Sequence, residues 1–182
     1  MQYQQKHPET CLAKCLMILI EKLKNKKIDD SYELDLLIFS LKYERENIAR
    51  GHLEKVVNDF GVKINWVVDS KIFFDFVKKM HLPEEISLVN EKIDLVLLDK
   101  LLENPLIVYT DKFSFWKEGD DLYYKYHYPH FVIVTRKVED KYEIIDPDDG
   151  TIKLIDSKTL IKSIISLKNY LWISPQIIQV KN

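Results

Sequence analysis

The spacing of apolar and polar residues changes character part-way along the chain. Up to residue 103 most apolar positions recur at helical spacing, which is typical of helices that bury one face. One stretch in this half, residues 62–68, alternates apolar and polar residues as a half-buried strand does. The pattern predicts helices over residues 11–24, 32–43, 46–59, 70–80 and 91–103.

The first predicted helix, residues 11–24, is apolar almost all round until Glu21. A helix with that pattern lies buried at the centre of a domain. Thr10 stands at its N-cap position, and Glu9 brings negative charge to the end where the helix dipole favours it. We therefore expect this helix to be the element around which the rest packs.

From residue 105 onward the pattern is that of short strands. Tight turns between them indicate a mainly antiparallel sheet. Helices first and strands later predict the α+β class, an N-terminal helical half with a central buried helix packed on a C-terminal sheet. The predicted strands are 106–109, 130–135, 141–146, 152–155 and 171–180, with a helix over 157–167.

Length and composition fit one soluble globular domain over residues 1–182. The net charge is −2 and no segment is strongly basic, so no nucleic-acid partner is predicted. The apolar run at residues 16–20 is too short to cross a membrane, and no signal peptide is visible. These features predict a cytoplasmic protein without a membrane partner.

The two cysteines, Cys11 and Cys15, lie four residues apart on one predicted helix. Helical geometry rarely suits a disulfide at that spacing, so free thiols in a reducing compartment are expected. No histidine follows these cysteines at the spacing of zinc ligands, so no metal site is predicted.

Cys11 is the candidate nucleophile because it stands at a helix start. The thiolate is the reactive form of cysteine, and the unpaired N–H groups and the dipole at a helix start favour that anion. A small buried apolar residue is the alternative interpretation. For Cys15, one turn deeper among apolar residues, that buried role is the one we predict.

Gln5 precedes Cys11 by six residues, in the loop before the helix. Acyl transfer builds negative charge on a carbonyl oxygen, which a neutral donor beside the nucleophile stabilises. The Gln5 side-chain amide and the Cys11 backbone N–H are candidates for that task. The alternative is a surface glutamine in a Gln-rich terminal stretch.

His130 opens a predicted strand, and Asp146 ends the next one. Antiparallel neighbours joined near residues 139–140 place the end of the later strand beside the start of the earlier one. We therefore predict that Asp146 accepts a hydrogen bond from His130 and fixes its tautomer, so that the imidazole acts as a base. His127 is the competing base, and we expect it to be mobile.

Both residues have alternatives. His130 also fits a half-buried histidine at a strand end, and Asp146 before Pro147 also fits a turn. Asp148 and Asp149 are predicted to be turn residues only. His7, His52 and His81 are expected to face solvent.

Aromatic residues are dense between Phe113 and Tyr128. They predict either a recognition surface beside the site or a loop that covers the sheet. The candidate substrate-binding residues are Trp116, Tyr126 and Tyr128.

These motifs resemble the papain-like cysteine peptidase superfamily, and within it the bacteriocin-leader-processing (double-glycine) peptidases and their stand-alone relatives. The matching features are a glutamine six residues before a helix-start cysteine, a strand opening His-aromatic-Val, and Asp-Pro after the next strand. Here they are Gln5, Cys11, His130-Phe131-Val132 and Asp146-Pro147. The resemblance implies a papain-like fold and a Cys-His-Asp triad.

The chain also departs from that family. Thr10-Cys11-Leu12 stands where the family has Asp-Cys-Gly, and a leucine there is expected to narrow the cleft or alter substrate choice. Transporter-linked members carry membrane segments and an ATPase for which this sequence shows no counterpart. Cleavage of a double-glycine leader is therefore not implied.

The first hypothesis is a cysteine peptidase or amidase that cleaves a peptide or amide bond and requires no cofactor. With an amine as acceptor the same site makes an acyltransferase, and fold alone does not separate these chemistries. The alternatives are an inactive peptide-binding module of the same fold, and a helical structural protein in which these residues coincide by chance. The sequence predicts no oligomeric state.

Overall fold

A computed structural model describes residues 3–43, 48–115 and 126–182. Its helices and strands alternate more than the sequence pattern predicts. The helices are α1 (Cys11–Lys24), α2 (Ser31–Leu41), α3 (Ile48–Phe60), α4 (Lys71–Lys78), α5 (Leu95–Leu101) and α6 (Ser157–Ser166). The strands are β1 (Lys63–Val68), β2 (Ile86–Asn90), β3 (Leu106–Asp111), β4 (Pro129–Val138), β5 (Lys141–Asp146), β6 (Thr151–Asp156) and β7 (Gln176–Lys181).

The described strands form one sheet in the order β2-β1-β7-β3-β4-β5-β6. Only the β1–β2 pair is parallel among these strands, and the other neighbours run antiparallel. The predicted α+β class and mainly antiparallel sheet are therefore confirmed. The division into a helical half and a strand half is too simple, because β1 and β2 come from the first half and extend the sheet at one end.

Two apolar clusters cover the two faces of the sheet. One joins α1, α2, α3 and α4 to side chains such as Ile107, Ile133 and Ile178. The other joins α5 and α6 to the alternate side chains of the same strands, such as Val108 and Val132. Successive strand residues point to opposite faces, so the apolar stretches of β3, β4 and β7 contribute to both clusters.

Helix α1 has the predicted bounds and the predicted central position. Every residue from Leu12 to Ile20 is buried. The helix ends where Asn25 adopts a left-handed conformation (φ 48°) and its N–H binds the Glu21 carbonyl oxygen. Thr10 occupies the N-cap position, but its side chain makes no capping hydrogen bond. Since α1 packs against the central strands, its first residue is held next to β4.

Helix starts elsewhere follow local sequence more closely. Asp94 accepts from the N–H groups of Val96 and Leu97 at the start of α5. Asp156 accepts from the Thr159 N–H at the start of α6. Side-chain oxygens that pair the first free N–H groups of a helix fix where it begins. No helix in the described ranges is long and apolar enough to cross a membrane.

Candidate active site

The site lies where the start of α1, the start of β4 and the end of β5 meet. Strand β4 pairs with β5 through Ile133↔Ile145 at one end and Val138↔Lys141 at the turn. This hairpin brings Asp146 beside His130, as the sequence predicts. The Nε2 atom of His130 lies 2.8 Å from an Asp146 carboxylate oxygen, and both side chains are buried.

The hydrogen bond determines the tautomer of the imidazole. An ionised carboxylate only accepts, so the proton of a neutral His130 sits on Nε2 and Nδ1 carries the lone pair. Nδ1 is buried and has no hydrogen-bond partner within the described residues. The Cys11 thiol is near enough to affect the ring, as its contribution to the pKa of His130 indicates. In the neutral ring, Nδ1 is therefore the nitrogen that can accept a proton.

The pKa of His130 is raised to about 9. Burial opposes the charged ring, but the hydrogen bond to Asp146 and the interaction with Cys11 outweigh it. The pKa of Asp146 is strongly lowered, because the bond to His130 and the charges of Lys112 and Lys153 overcome its burial. Each side chain thus favours the charged form of the other.

Lysines complete the ion-pair network around Asp146. Lys153 lies 3.1 Å and Lys112 3.5 Å from the same Asp146 oxygen. Lys112 also pairs with Asp148, and Lys153 lies 2.6 Å from Asp149. With His130 charged, three cations face three carboxylates, and this balance offsets the cost of burying His130, Asp146 and Lys112.

Asp148 does more than the predicted turn role. Its carboxylate lies 3.9 Å from His130 Nδ1, the ring nitrogen that does not contact Asp146. His130, Asp146 and Asp148 each offer a metal-ligand atom within 4.8 Å of the others. Ammonium groups already contact these carboxylates, so the residues fit an ion-pair network better than a cation site.

The two cysteines differ as predicted. Cys11 is partly exposed, whereas Cys15 is buried, and both are free thiols. The Cys15 thiol donates to the Phe131 carbonyl oxygen at 3.6 Å. Burial is the largest of the effects that raise the pKa of Cys15 well above its usual value. A buried, protonated thiol is a poor nucleophile, so Cys15 is not a candidate and Cys11 remains one.

Gln5 is tied to the same region from the other side. Its backbone N–H donates to the Pro147 carbonyl oxygen at 2.7 Å, one residue past Asp146. Its side-chain oxygen is buried without a partner in the described part of the chain. A half-turn of the amide exchanges oxygen and nitrogen and presents a donor at that position. The Gln5 amide thus retains hydrogen-bonding capacity for a bound molecule.

The candidate substrate-binding residues are not brought together by any described contact. Trp116 lies outside the described residues. Tyr126 is 71% exposed. Tyr128 donates its backbone N–H to Asp111, while its side chain is half-buried.

His127 is held rather than mobile, contrary to the prediction. Its Nδ1 lies 2.6 Å from the buried Asp111 carboxylate, and its ring stacks on Tyr170 at 4.2 Å. It therefore forms a second histidine–aspartate pair, separate from His130 and Asp146. The prediction that His52 faces solvent is also wrong, because His52 is buried against Ser40.

Sequence reasoning missed Lys112, Lys153 and Glu33. Lys112 follows β3 directly, and Lys153 lies on β6, the strand next to Asp146. Alternation along β6 is a signal that places Lys153 on the Asp146 side. No local pattern marks Lys112 or Glu33, whose partners are distant in the chain.

A scan against protein-family models and a search of curated proteins found no match to this chain. A function for this chain is therefore inferred from its sequence and from the geometry of the site.

The charge pair makes stability depend on pH. Because the pKa of His130 is raised from 6.5 to about 9, the pair stabilises the fold fully below about 6.5 and loses that contribution as pH rises through 9. We expect the urea-unfolding free energy to fall across this interval. The His130→Ala variant should lack this component of the decrease. An equal decrease in both proteins would show that the raised pKa does not contribute.

Proposed function

We propose that this protein is a papain-like cysteine-nucleophile enzyme that hydrolyses a peptide or amide bond. The observation that carries the proposal is the buried imidazole of His130, bonded through Nε2 to Asp146 while Nδ1 remains free beside Cys11. An oriented base next to a thiol at a helix start is the arrangement that activates a cysteine.

The reaction would proceed in two halves. His130 Nδ1 takes the Cys11 proton, the sulfur forms a bond to the carbonyl carbon, and the C=O electron pair moves onto oxygen. Gln5 and the Cys11 backbone N–H stabilise that oxyanion. The intermediate collapses by breaking the C–N bond, and the amine leaves with the proton held by His130. Water, deprotonated by His130, then releases the acid and restores Cys11.

The papain-like assignment draws on sequence and fold together. Three features agree with it: the burial of α1, the antiparallel hairpin of β4 and β5, and the chain order of Gln5, Cys11, His130 and Asp146. An amine in place of water would give an acyltransferase. Free thiols suit the reducing cytoplasm, where we place the protein.

Leu12 does not favour the inactive-module hypothesis. Its side chain is only 5% exposed and belongs to the apolar core of α1. The expectation that it narrows the cleft therefore has no support in the structure. A buried leucine contributes to packing, and Cys11 beside it is partly exposed.

Thiol alkylation tests the proposal. With limiting iodoacetamide at pH 6 and pH 7.5, Cys11 should be modified much faster than Cys15, and the Cys11→Ser variant should take up almost no label. Rates at each cysteine are measured by mass spectrometry of the digested protein. Slow, equal labelling of both thiols would contradict the proposal and favour a binding module.

A further inference from the structure

Glu33, in the first turn of α2, is completely buried and contacts the loop between Gln5 and Cys11. One carboxylate oxygen accepts from the backbone N–H groups of Lys6 (2.7 Å) and His7 (3.0 Å). The same oxygen contacts the Thr10 hydroxyl. Each of these donors lies between the proposed oxyanion donor and the nucleophile.

The Thr10 hydroxyl also lies 2.6 Å from the His7 carbonyl oxygen. The hydroxyl has one hydrogen to donate, and both the Glu33 carboxylate and the His7 carbonyl oxygen are close enough to accept it. Thr10 therefore contacts both α2 and an earlier residue of the loop. This contact explains why Thr10 does not cap α1. The hydroxyl is used to shape the loop before the helix.

A buried carboxylate is costly unless hydrogen bonds to charge compensate it. The bonds from the loop to one oxygen and the N-terminal dipole of α2 offset part of that cost, while the other oxygen is buried without a hydrogen-bond partner in the described residues. The loop in turn contains Glu9 with φ of 63°, a conformation that persists only where the surroundings impose it. Glu33 holds one end of the loop, and the bond from Gln5 to Pro147 holds the other.

We propose that Glu33 is a positioning residue that sets the distance and orientation of the Gln5 amide relative to the Cys11 sulfur. The inference rests on the proposed function of Gln5 and Cys11. Glu33 acts through the loop backbone and touches no reacting atom. It is therefore needed for the step that creates an oxyanion and not for the nucleophilicity of the thiol.

Two reactions of Cys11 separate these effects. Iodoacetamide is attacked at a saturated carbon and generates no oxyanion. N-acetylglycinal, the smallest peptide aldehyde, is attacked at its carbonyl: the S–C bond forms, the electron pair moves to oxygen, and a hemithioacetal results. The affinity of the aldehyde is measured by how far it protects Cys11 from iodoacetamide.

We expect Glu33→Ala to weaken N-acetylglycinal binding roughly 10- to 100-fold, the size of effect that misplacement by about 1 Å produces. The alkylation rate without aldehyde should change less than about threefold, since the thiol and His130 are untouched. Glu33→Gln keeps an oxygen acceptor for the two N–H groups and should recover most of the affinity. Glu54→Gln is the matched control, because Glu54 binds Tyr43 and Arg50 and does not contact the loop.

If Glu33→Ala fails to fold, Thr10→Val removes a single contact of Glu33 and should weaken aldehyde binding with little change in alkylation. Two results would overturn the positioning role of Glu33 and leave the proposed function standing. One is an equal loss of aldehyde binding and of alkylation rate; the other is unchanged aldehyde binding in Glu33→Ala or Thr10→Val. A wild-type protein that forms no aldehyde adduct, with Cys11 no more reactive than Cys15, would overturn the proposed function and this inference together.

Discussion

Replacing His130 with alanine should slow alkylation of Cys11 at pH 6 by about 100-fold or more. An unpaired thiol of ordinary acidity is less than about 1% ionised at that pH, whereas an adjacent imidazole stabilises the thiolate. The effect should shrink as pH rises, because ionisation then no longer depends on the imidazole. Rates of iodoacetamide incorporation from pH 5.5 to 9 measure both features.

His127→Ala is the matched control for this experiment. His127 is also a histidine bonded to a buried aspartate, and it lies three residues before His130. Because its partner is Asp111 and its ring stacks on Tyr170, its removal should leave the Cys11 rate within about threefold of wild type. A larger effect from His127→Ala than from His130→Ala would show that His127, and not His130, is the base.

Replacing Asp146 with alanine should destabilise the fold by about 3–5 kcal/mol, the cost of removing one partner from a buried charge pair. His130 would lose the acceptor of its Nε2 proton, and Lys112 and Lys153 would each lose a contact. Urea unfolding at pH 7 measures the loss. Asp149→Ala is the control: that side chain is 45% exposed, pairs with Lys153 and accepts two hydrogen bonds from Thr151, so its removal should cost less, about 1–2 kcal/mol.

Asp146→Asn separates the stabilising role from the chemical one. Its amide can donate to Nε2, which moves the imidazole proton to Nδ1 and removes the base that faces Cys11. We expect Asp146→Asn to lose less stability than Asp146→Ala. Its loss of Cys11 reactivity should be comparable to that of His130→Ala. Full reactivity in Asp146→Asn would show that the tautomer of His130 is not set by Asp146.

The parts of the fold that the sequence predicts best are those dictated by local pattern. Helix α1 is apolar on all sides, so its bounds could be read directly. Strand β2 was missed because Ile86–Asn90 is short and only Ile86 is buried in it. Strand β7 was predicted to begin at residue 171, but a π-helical turn continues α6 and Trp172 adopts a left-handed conformation after it. Tertiary packing decides both cases.

The same division applies to the site. The pairing of His130 with Asp146 follows from hairpin geometry, which depends only on strand order and turn position. The contacts of Lys112, of Asp148 with His130 and of Glu33 join residues that are 15 or more positions apart. No periodic pattern in the sequence links these residues to their partners. The constraint on His127 was missed for the same reason, since Asp111 and Tyr170 approach it only in the folded sheet.

The place of β7 in the sheet has a consequence for biosynthesis. Residues 176–181 lie between β1 and β3, so a nascent chain that lacks them holds two separate sets of strands. The seven strands therefore cannot join into one sheet until residues 176–181 have been made. Pairing between strands so far apart in the chain slows folding, so we expect the closing of the sheet by β7 to be a late step.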